Sequence, residues 1–589
     1  MRLSFLLLLI FFAAFCSYAG VWPKPAARLN YNQIMFDYDK VTGAELYLVQ
    51  VAEDNGTESF NQILVAQKDS VTATLISGLG FGKKYVWRYK GLGNNVNSTW
   101  HGPYNFEISA DSLLSKNLVN LAVTQNDSTQ TAGGLIMNDC THSITDRQGN
   151  LVWYLPKVNW HVILEKKSLS VKPQIFDLRL TPAGTITYLA EAHATEITIN
   201  GDTLFMAPDD GKVAGGSTES YNHDFKRTPW HTYMVLGQTM WRQLPPYKDT
   251  ASIQKKYAAR QWLNGKEYGA AEFGTVMEYD QKGKLLWSWN STEYFDKNPL
   301  SPQPDSPAVN AELKPHINAF SVDRKNEYVY VGFRNVSRIV KVEKKTGKVV
   351  NSWGPKFPSG EAKQVLKLYQ QHDATVLDDN SLAVFNNNDY PGTDSLPAAV
   401  VFYQQPQNGN YIKWQYTCKF DSIDKNANRN GGNVDLLKNG NYLICTGNMN
   451  KIVEVTPAKQ IVWQAGLITN GRIGQQFFHR LYRAHYISSL YPCYFTFQAN
   501  TDTVADKNSA FSLHLFNKGS EADSYVVQVK AATGGYAAQF SLGNIAAGKS
   551  ATLAVKPGAQ VTGPNKIIIT VSSVTNPSFV REETVLVEK

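Results

Sequence analysis

One phrase returns along the middle of this chain and limits what it can fold into: an apolar strand, a turn usually containing glycine, and a short strand ending in tryptophan. It reads DRQGNLVW (146–153), YDQKGKLLWSW (279–289), KKTGKVVNSW (344–353), QNGNYIKW (407–414) and TPAKQIVW (456–463). From Trp153 to Trp287 is 134 residues, and the later gaps are 66, 61 and 49. The first gap holds two units, one of them without the signature, so the count is six. Strand hairpins recurring at about 50–65 residues mean a β-propeller rather than an array of sandwiches. No amphipathic helical stretch is long enough for an α/β enzyme.

A second phrase interleaves with the first and opens a hydrophobic strand in each unit. It reads FDLRLTPAGTITYL (176–189), HDFKRTPWHTYMVL (223–236), HINAFSVDRKNEYVYV (316–331), HDATVLDDNSLAVF (372–385) and NVDLLKNGNYLI (433–444). Its leading residues should occupy equivalent places around a central channel. Three of the chain's 11 histidines fall there: His223, His316 and His372. Arg334 follows the His316 strand by one hairpin-scale step and can return to the same mouth, with Arg338 as its competitor. Because strand side chains alternate between faces, Asp224 and Asp373 are expected to point into the sheets as structural groups.

The flanks read differently. Arg2, the apolar run Phe5 to Phe15 and Ser17-Tyr18-Ala19 have the layout of a secretory leader over residues 1–19, too short to span a bilayer. A lipidated Cys16 is the weaker reading, because Phe15 stands where a small residue is preferred. Residues 20–110 alternate as a sandwich resembling a fibronectin type III module, and 491–589 as an immunoglobulin-like sandwich. The expected fold is therefore all-β: a six-bladed propeller over 111–490 with a sandwich on either side. The formal charge of +8 is dispersed, without the basic stripe that nucleic acid requires. No later run is apolar enough for membrane insertion. Cys140, Cys418, Cys445 and Cys493 lack metal-finger spacing, and three disulfide pairings or free thiols stay open.

The segments HDFKR…YMVLG, PHINAFSVD…VYVGFRNVSRIVKVEKKTGKVVNSWG, QHDATVLDDNSLAVFNNND and LYRAHYISSLYP resemble the bacterial arylsulfate sulfotransferases that need no nucleotide donor. The 18-residue interval from His316 to Arg334 is similar to that family's own. The resemblance implies a secreted or periplasmic enzyme, a homodimer, that passes a sulfuryl group from an aryl sulfate to a phenol without a cofactor. It assigns the covalent carrier to His372, the helpers to His223, His316 and Arg334, and substrate contacts to Asn318 and Tyr482. Two departures stand out: NSWGPKFPSGEAKQ lacks the short disulfide loop expected before the carrier, and the C-terminal sandwich is more extended.

The chemistry suits these residue types. Sulfuryl transfer, like phosphoryl transfer, spreads charge over equatorial oxygens, so positioning and fixed cations do most of the catalysis. A neutral imidazole can attack sulfur, and a guanidinium fork matches a tetrahedral oxyanion. A single carrier implies ping-pong kinetics. Two readings from other classes remain: a metal-dependent propeller enzyme using the three histidines, which a neighbouring arginine disfavours, and a non-catalytic binding propeller, which leaves the His/Arg set unexplained.

Overall fold

A computed structural model describes residues 20–94, 96, 99–110, 119–156, 175–190, 193–243, 260–263, 266–297, 315–355, 363–389, 396–420, 430–469, 481–558, 560–561 and 564–588. The expected leader over 1–19 lies outside them. The described chain is nearly all β, and its one α-helix is Thr292–Lys297. No described helix is long and apolar enough to cross a membrane. The residues group into two compact units: 1–110, 182–184 and 488–589 form one, and 111–181 with 185–487 the other.

The larger unit contains six mainly antiparallel sheets. The first pairs Ala484–Ile487 with Leu135–Asn138, Ser143–Thr145 and Leu151–Tyr154. The second runs from Ile175–Leu180 to Thr203–Met206, and the third is built on Phe225–Arg227, Tyr233–Gln243 and Lys266–Tyr279. The fourth begins at Ile317–Val322, the fifth at His372–Val376 and the sixth at Asn433–Leu436. The sixth ends by accepting Val119–Asn126 from the start of the unit, as the first accepts Ala484–Ile487 from its end. Both overlaps tie the two ends of the segment together. No sheet among the described residues closes on itself.

The repeated tryptophan has a physical purpose. Each sits in the fourth strand of its sheet and donates its indole N–H to a carbonyl of the next sheet. Trp153 reaches Ile199 (2.8 Å), Trp287 Lys344 (2.9 Å), Trp353 Gln404 (3.2 Å), Trp414 Pro457 (3.0 Å) and Trp463 Arg147 (2.8 Å). A large apolar ring thus fills the gap between sheets while its polar atom stays bonded. The second sheet, the unit without the signature, has no such tryptophan. There Glu196 instead receives Arg227 Nη1 (2.8 Å) and the Tyr233 hydroxyl from the third sheet. The turn before the tryptophan also has a cause: Asp146 Oδ1 accepts the amides of Gln148 and Asn150. Gly149 takes φ +89°, where an added Cβ would lie 2.5 Å from the Leu121 carbonyl.

On the inner strands a second set of links runs sheet to sheet. Asp177 accepts the Phe225 amide (2.9 Å), Asp224 that of Phe320 (3.1 Å), Asp373 that of Val434 (3.2 Å) and Asp435 that of Tyr486 (3.1 Å). In the fourth sheet, which has Asn318 in place of an aspartate, Ser321 Oγ accepts the Val376 amide at 2.9 Å. The aspartates converge on Arg483, which is fully buried. Its Nη2 lies 2.8 Å from Asp224, its Nη1 2.8 Å from Asp373 and its Nε 3.8 Å from Asp177. Asp224 and Asp373 therefore do not point into the sheets, as simple alternation predicts. Positive φ at His223 (59°) and Asp373 (56°), with a register shift between His372 and Thr375, turns the strand starts so that the carboxylates face the middle.

In the smaller unit, Phe36 packs edge-on against Trp87 and Phe106, joining the pair Ile34–Asp37 and Ala73–Ile76 to a five-stranded sheet. Residues 495–587 form a three-stranded and a five-stranded sheet around one core that includes Phe495, Tyr525, Ile567 and Val585. Asp523–Ala531 and Asn565–Ser573 bury alternate residues, the pattern the sequence carries. The two parts meet at Asp37, which receives Arg581 and the Tyr494 hydroxyl (2.6 Å), and at Lys40, which lies 2.6 Å from Asp502 and 3.1 Å from Glu583. Cys140, Cys418, Cys445 and Cys493 are thiols rather than disulfides.

Arg483→Met should leave buried Asp373 without its cation and remove the shared one from Asp177 and Asp224, which keep Arg179 and Lys226, and lower unfolding stability by about 3–5 kcal/mol. Arg324→Ala, which removes an exposed pair with Asp378, should change it by less than about 1 kcal/mol. Denaturant unfolding of both variants tests this, and equal small effects would contradict the central role given to Arg483.

Candidate active site

The residues that lead the inner strands come together. His223 stands two positions before Phe225–Arg227, His316 directly before Ile317–Val322, His372 opens its strand, and Tyr482 stands two positions before Ala484–Ile487. Their neighbourhood follows from strand starts converging at one end of the larger unit. The His223 and His316 ring centroids are 4.8 Å apart, and Tyr482 lies 5.9 Å from both His223 and His372. His223 (φ 59°) and His316 (φ 61°) both occupy the left-handed region, which is costly for a residue with a Cβ. Such strain persists where the surroundings over-determine the conformation, and it concentrates at functional sites.

His372 is almost fully buried and held from three sides. Its Nδ1 lies 2.7 Å from Asn387 Oδ1 and 3.2 Å from the Gln370 carbonyl, and its Nε2 receives the Gly431 amide at 3.3 Å. Asn387 donates its Nδ2 to the Gly431 carbonyl (3.1 Å), which orients the amide. Gly431 has φ +75°, and a Cβ there would come 2.8 Å from the Tyr482 carbonyl, so the position requires glycine. Asn387 and Gly431 were not singled out by the sequence reading. Asn387 stands inside the quoted FNNND, but nothing in that run distinguishes it from its neighbours.

Arg334 is placed by its own backbone: its amide donates to the His316 carbonyl at 2.8 Å. Its Nη1 donates to Asn335 (3.0 Å), and among the described residues its nearest carboxylate is half-exposed Asp389 at 3.9 Å and its Nε has no hydrogen-bond partner. The charge is thus much less compensated than that of Arg483. Burial lowers its pKa, with Asp389 opposing. Arg338, the competitor, turns away and donates to the Tyr294 hydroxyl at 3.1 Å. Asn318 is fully buried and donates its Nδ2 to the Gln371 carbonyl (2.8 Å), so it positions the peptide before His372. Tyr482 gives or receives a 2.7 Å hydrogen bond at His223 Nδ1. Burial raises its phenol pKa, keeping it protonated.

Burial is the main cause of a lowered pKa, about 3, at both His223 and His372. At His372 the charges of Arg334 and Arg483 reinforce it, while Asn387 opposes. At His223 the neighbouring His372 adds to it. Two neutral imidazoles, a weakly compensated guanidinium and a phenol form a site suited to a tetrahedral anion. Among the described residues no group of three or more His, Cys, Asp or Glu side chains is arranged to hold a metal ion.

Similar proteins bear on this site in one segment. Residues 251–469, which include His316, Asn318, Arg334 and His372 but neither His223 nor Tyr482, match the arylsulfotransferase (ASST) family. No curated protein matches the chain. Among solved structures, a protein of unknown function from Bacteroides caccae is 14% identical, covering 62% of this chain and 98% of that one, with a TM-score of 0.34. The luciferin-regenerating enzyme is 8% identical over 63% and 98%, with a TM-score of 0.29. The β-propeller domain of Myceliophteria thermophila Cps50 (Swd1) is 10% identical over 50% and 86%, with a TM-score of 0.26. Scores this low fix no function.

The histidine pKa values give a pH signature. An unfolded histidine titrates near about 6.5. As the pH falls below that value the unfolded chain gains protons that folded His223 and His372 refuse. Their neutral-state stabilisation is whole above about 6.5 and is lost progressively as the pH falls toward 3. In a ¹H–¹⁵N titration of the histidine rings, neither should show a midpoint above about pH 5. A midpoint near neutrality at either ring would mean that water solvates it.

Proposed function

We propose that this chain, whose residues 251–469 match the arylsulfotransferase family, moves a sulfuryl group from an aryl sulfate ester to a phenol through His372. The observation that carries the reading is the convergence of His372, His223, His316 and weakly compensated Arg334 on one buried site. The six sheets of the larger unit are taken as propeller blades. Tryptophan links join the first sheet to the second and the third through the sixth back to the first, and Asp177 and Glu196 join the second to the third. The leader supports export to a periplasm or the exterior, and the sandwich parts are carried as flanking modules of a homodimer.

In the first half-reaction, the His372 lone pair forms an N–S bond as the S–O bond to the aryl group breaks. The electron pair leaves on the phenolate oxygen, which takes a proton with His316 placed to supply it. Arg334 and His223 donate hydrogen bonds to the equatorial sulfuryl oxygens, where charge accumulates. The acceptor phenol then passes its proton to His316, which recovers the one it gave, and its oxygen attacks sulfur as the N–S bond breaks and its electron pair returns to His372. No cofactor enters either step. Tyr482 fixes His223 through its hydroxyl.

Incubation with an aryl sulfate, with and without a phenol, tests the reading by phenol release. His372→Ala should abolish both half-reactions, whereas His223→Ala should lower the rate by on the order of 10²–10³ and leave residual turnover. Arg334→Lys should also be harmful, since an ammonium lacks the planar fork. Mass spectrometry of enzyme treated with donor alone, quenched in alkali, should place one sulfuryl adduct on the peptide containing His372, removed on adding phenol. An adduct on His223 or His316 would move the carrier. Efficient transfer without any adduct would argue for direct transfer.

His316→Ala should slow donors with poorly leaving alkylphenols much more than nitrophenyl donors, because only the former need a proton early. Equal losses across the leaving-group series would remove the acid role.

A further inference from the structure

We propose that Asn387 is the positioning residue that fixes which nitrogen of His372 takes the sulfuryl group, by holding the ring as the Nδ1–H tautomer. The inference rests on the reading of His372 as the carrier and adds to it the reacting atom and the reason for its reactivity.

The geometry leaves one tautomer. Both oxygens facing Nδ1, Asn387 Oδ1 at 2.7 Å and the Gln370 carbonyl at 3.2 Å, can only accept, so Nδ1 carries the hydrogen. The side-chain amide cannot be turned over without loss, because its Nδ2 donates to the Gly431 carbonyl at 3.1 Å. On the other side of the ring, Nε2 faces the Gly431 amide at 3.3 Å, a donor shared with Asn430 Oδ1 at 3.0 Å, and this arrangement fits a lone pair on Nε2. That long bond is the one an approaching sulfur displaces. One glycine thus holds the positioning residue through its carbonyl and marks the reacting nitrogen through its N–H.

The consequence is chemical. When Nε2 forms the N–S bond and the S–O bond breaks toward the aryl oxygen, Nδ1 keeps its hydrogen and the ring becomes an N-sulfated imidazolium. The two oxygens at Nδ1 stabilise that positive charge, and among the described residues no carboxylate lies directly on the ring. The cation also makes His372 a good leaving group in the second half-reaction, when the acceptor oxygen bonds sulfur and the N–S pair returns to Nε2. A neutral amide orients the ring without the basicity a carboxylate would add. A carboxylate there would favour protonated, non-nucleophilic His372, although the surrounding charges disfavour it. Those charges and titratable groups are Arg334 and His316 from the fourth sheet, His223 from the third, and Tyr482 and Arg483 from the segment entering the first. Asp373 beside His372 is engaged with Arg483, and Asp389 lies toward Arg334.

Two variants and two readouts test this on the full-length protein. Asn387→Leu frees the tautomer and should lower kcat by about 10–100-fold, as for partners that orient metal-bound histidines, with a smaller change in KM for the aryl sulfate. Asn387→Asp, nearly the same shape, should keep the tautomer but move the acid limb of kcat/KM upward toward neutral pH. ¹⁵N spectra of histidine-labelled enzyme without substrate should show His372 protonated on Nδ1 in the native protein and in Asn387→Asp, and mixed tautomers in Asn387→Leu. An Nε2–H signal in the native protein overturns the proposal. So do full kcat in Asn387→Leu, an acid limb in Asn387→Asp that stays in place, and losses explained by a smaller folded fraction at unchanged turnover per folded molecule. If the native enzyme transfers no sulfuryl group, the functional reading fails, while the spectra still decide the tautomer.

Discussion

A guanidinium at the centre of the larger unit carries more of this structure than any other group. Arg483 enters from the segment that precedes Ala484–Ile487 and meets carboxylates from the second, third and fifth sheets. A cation so deeply buried is tolerable only when surrounded by counter-charge; of its carboxylates, Asp177 also pairs with Arg179 and Asp224 with Lys226, while Asp373 relies on Arg483. Burial works against the charged guanidinium, but Asp224 and Asp373 outweigh it and raise its pKa far above the ordinary value. Each aspartate also accepts an amide from the next inner strand, so the ion cluster and the sheet-to-sheet links are one network. Asp139 extends it by accepting the backbone amides of Tyr482 and Arg483, and burial raises its own pKa to about 7.

The site is a by-product of that convergence. Carboxylates drawn to the middle require strand starts that do not alternate simply, and the positive-φ residues supply the turn. His223 and His316 occupy those strained positions, and His372 directly precedes one. The same bends that deliver Asp224 and Asp373 to Arg483 therefore set the imidazoles beside one another. Arg483 is neutralised by its carboxylates, so it contributes field without binding an anion. Arg334, with its nearest described carboxylate 3.9 Å away and half-exposed, is much less compensated, and the proposed mechanism assigns the anion to it.

The tryptophan period was legible because it answers a requirement of every sheet in turn: a large ring must fill the outer gap and a carbonyl must accept its N–H. The second sheet explains the doubled first gap, since Glu196 with Arg227 and Tyr233 does there what tryptophan does elsewhere. The histidine register was legible for a similar reason, as equivalent positions in repeated hairpins fall at equivalent places. Asn387 and Gly431 were not, because they touch His372 from just beyond the second strand of the fifth sheet, Leu382–Asn386, and from the entry to the sixth. Their significance depends on contacts 15 and 59 residues away in sequence.

The sequence by itself determined the all-β class, the strand periodicity, the set of histidines that lead the inner strands and the match of residues 251–469 to a known family, since these depend on local pattern. The direction of Asp224 and Asp373, the partner of each tryptophan, the tautomer of His372 and the choice of Arg334 over Arg338 were decided only in the tertiary structure. Each is an electrostatic or hydrogen-bonding choice between groups far apart in the chain. A two-residue strand period cannot register the φ reversals and bulges that bring such groups together, so only the folded chain settles which of them meet.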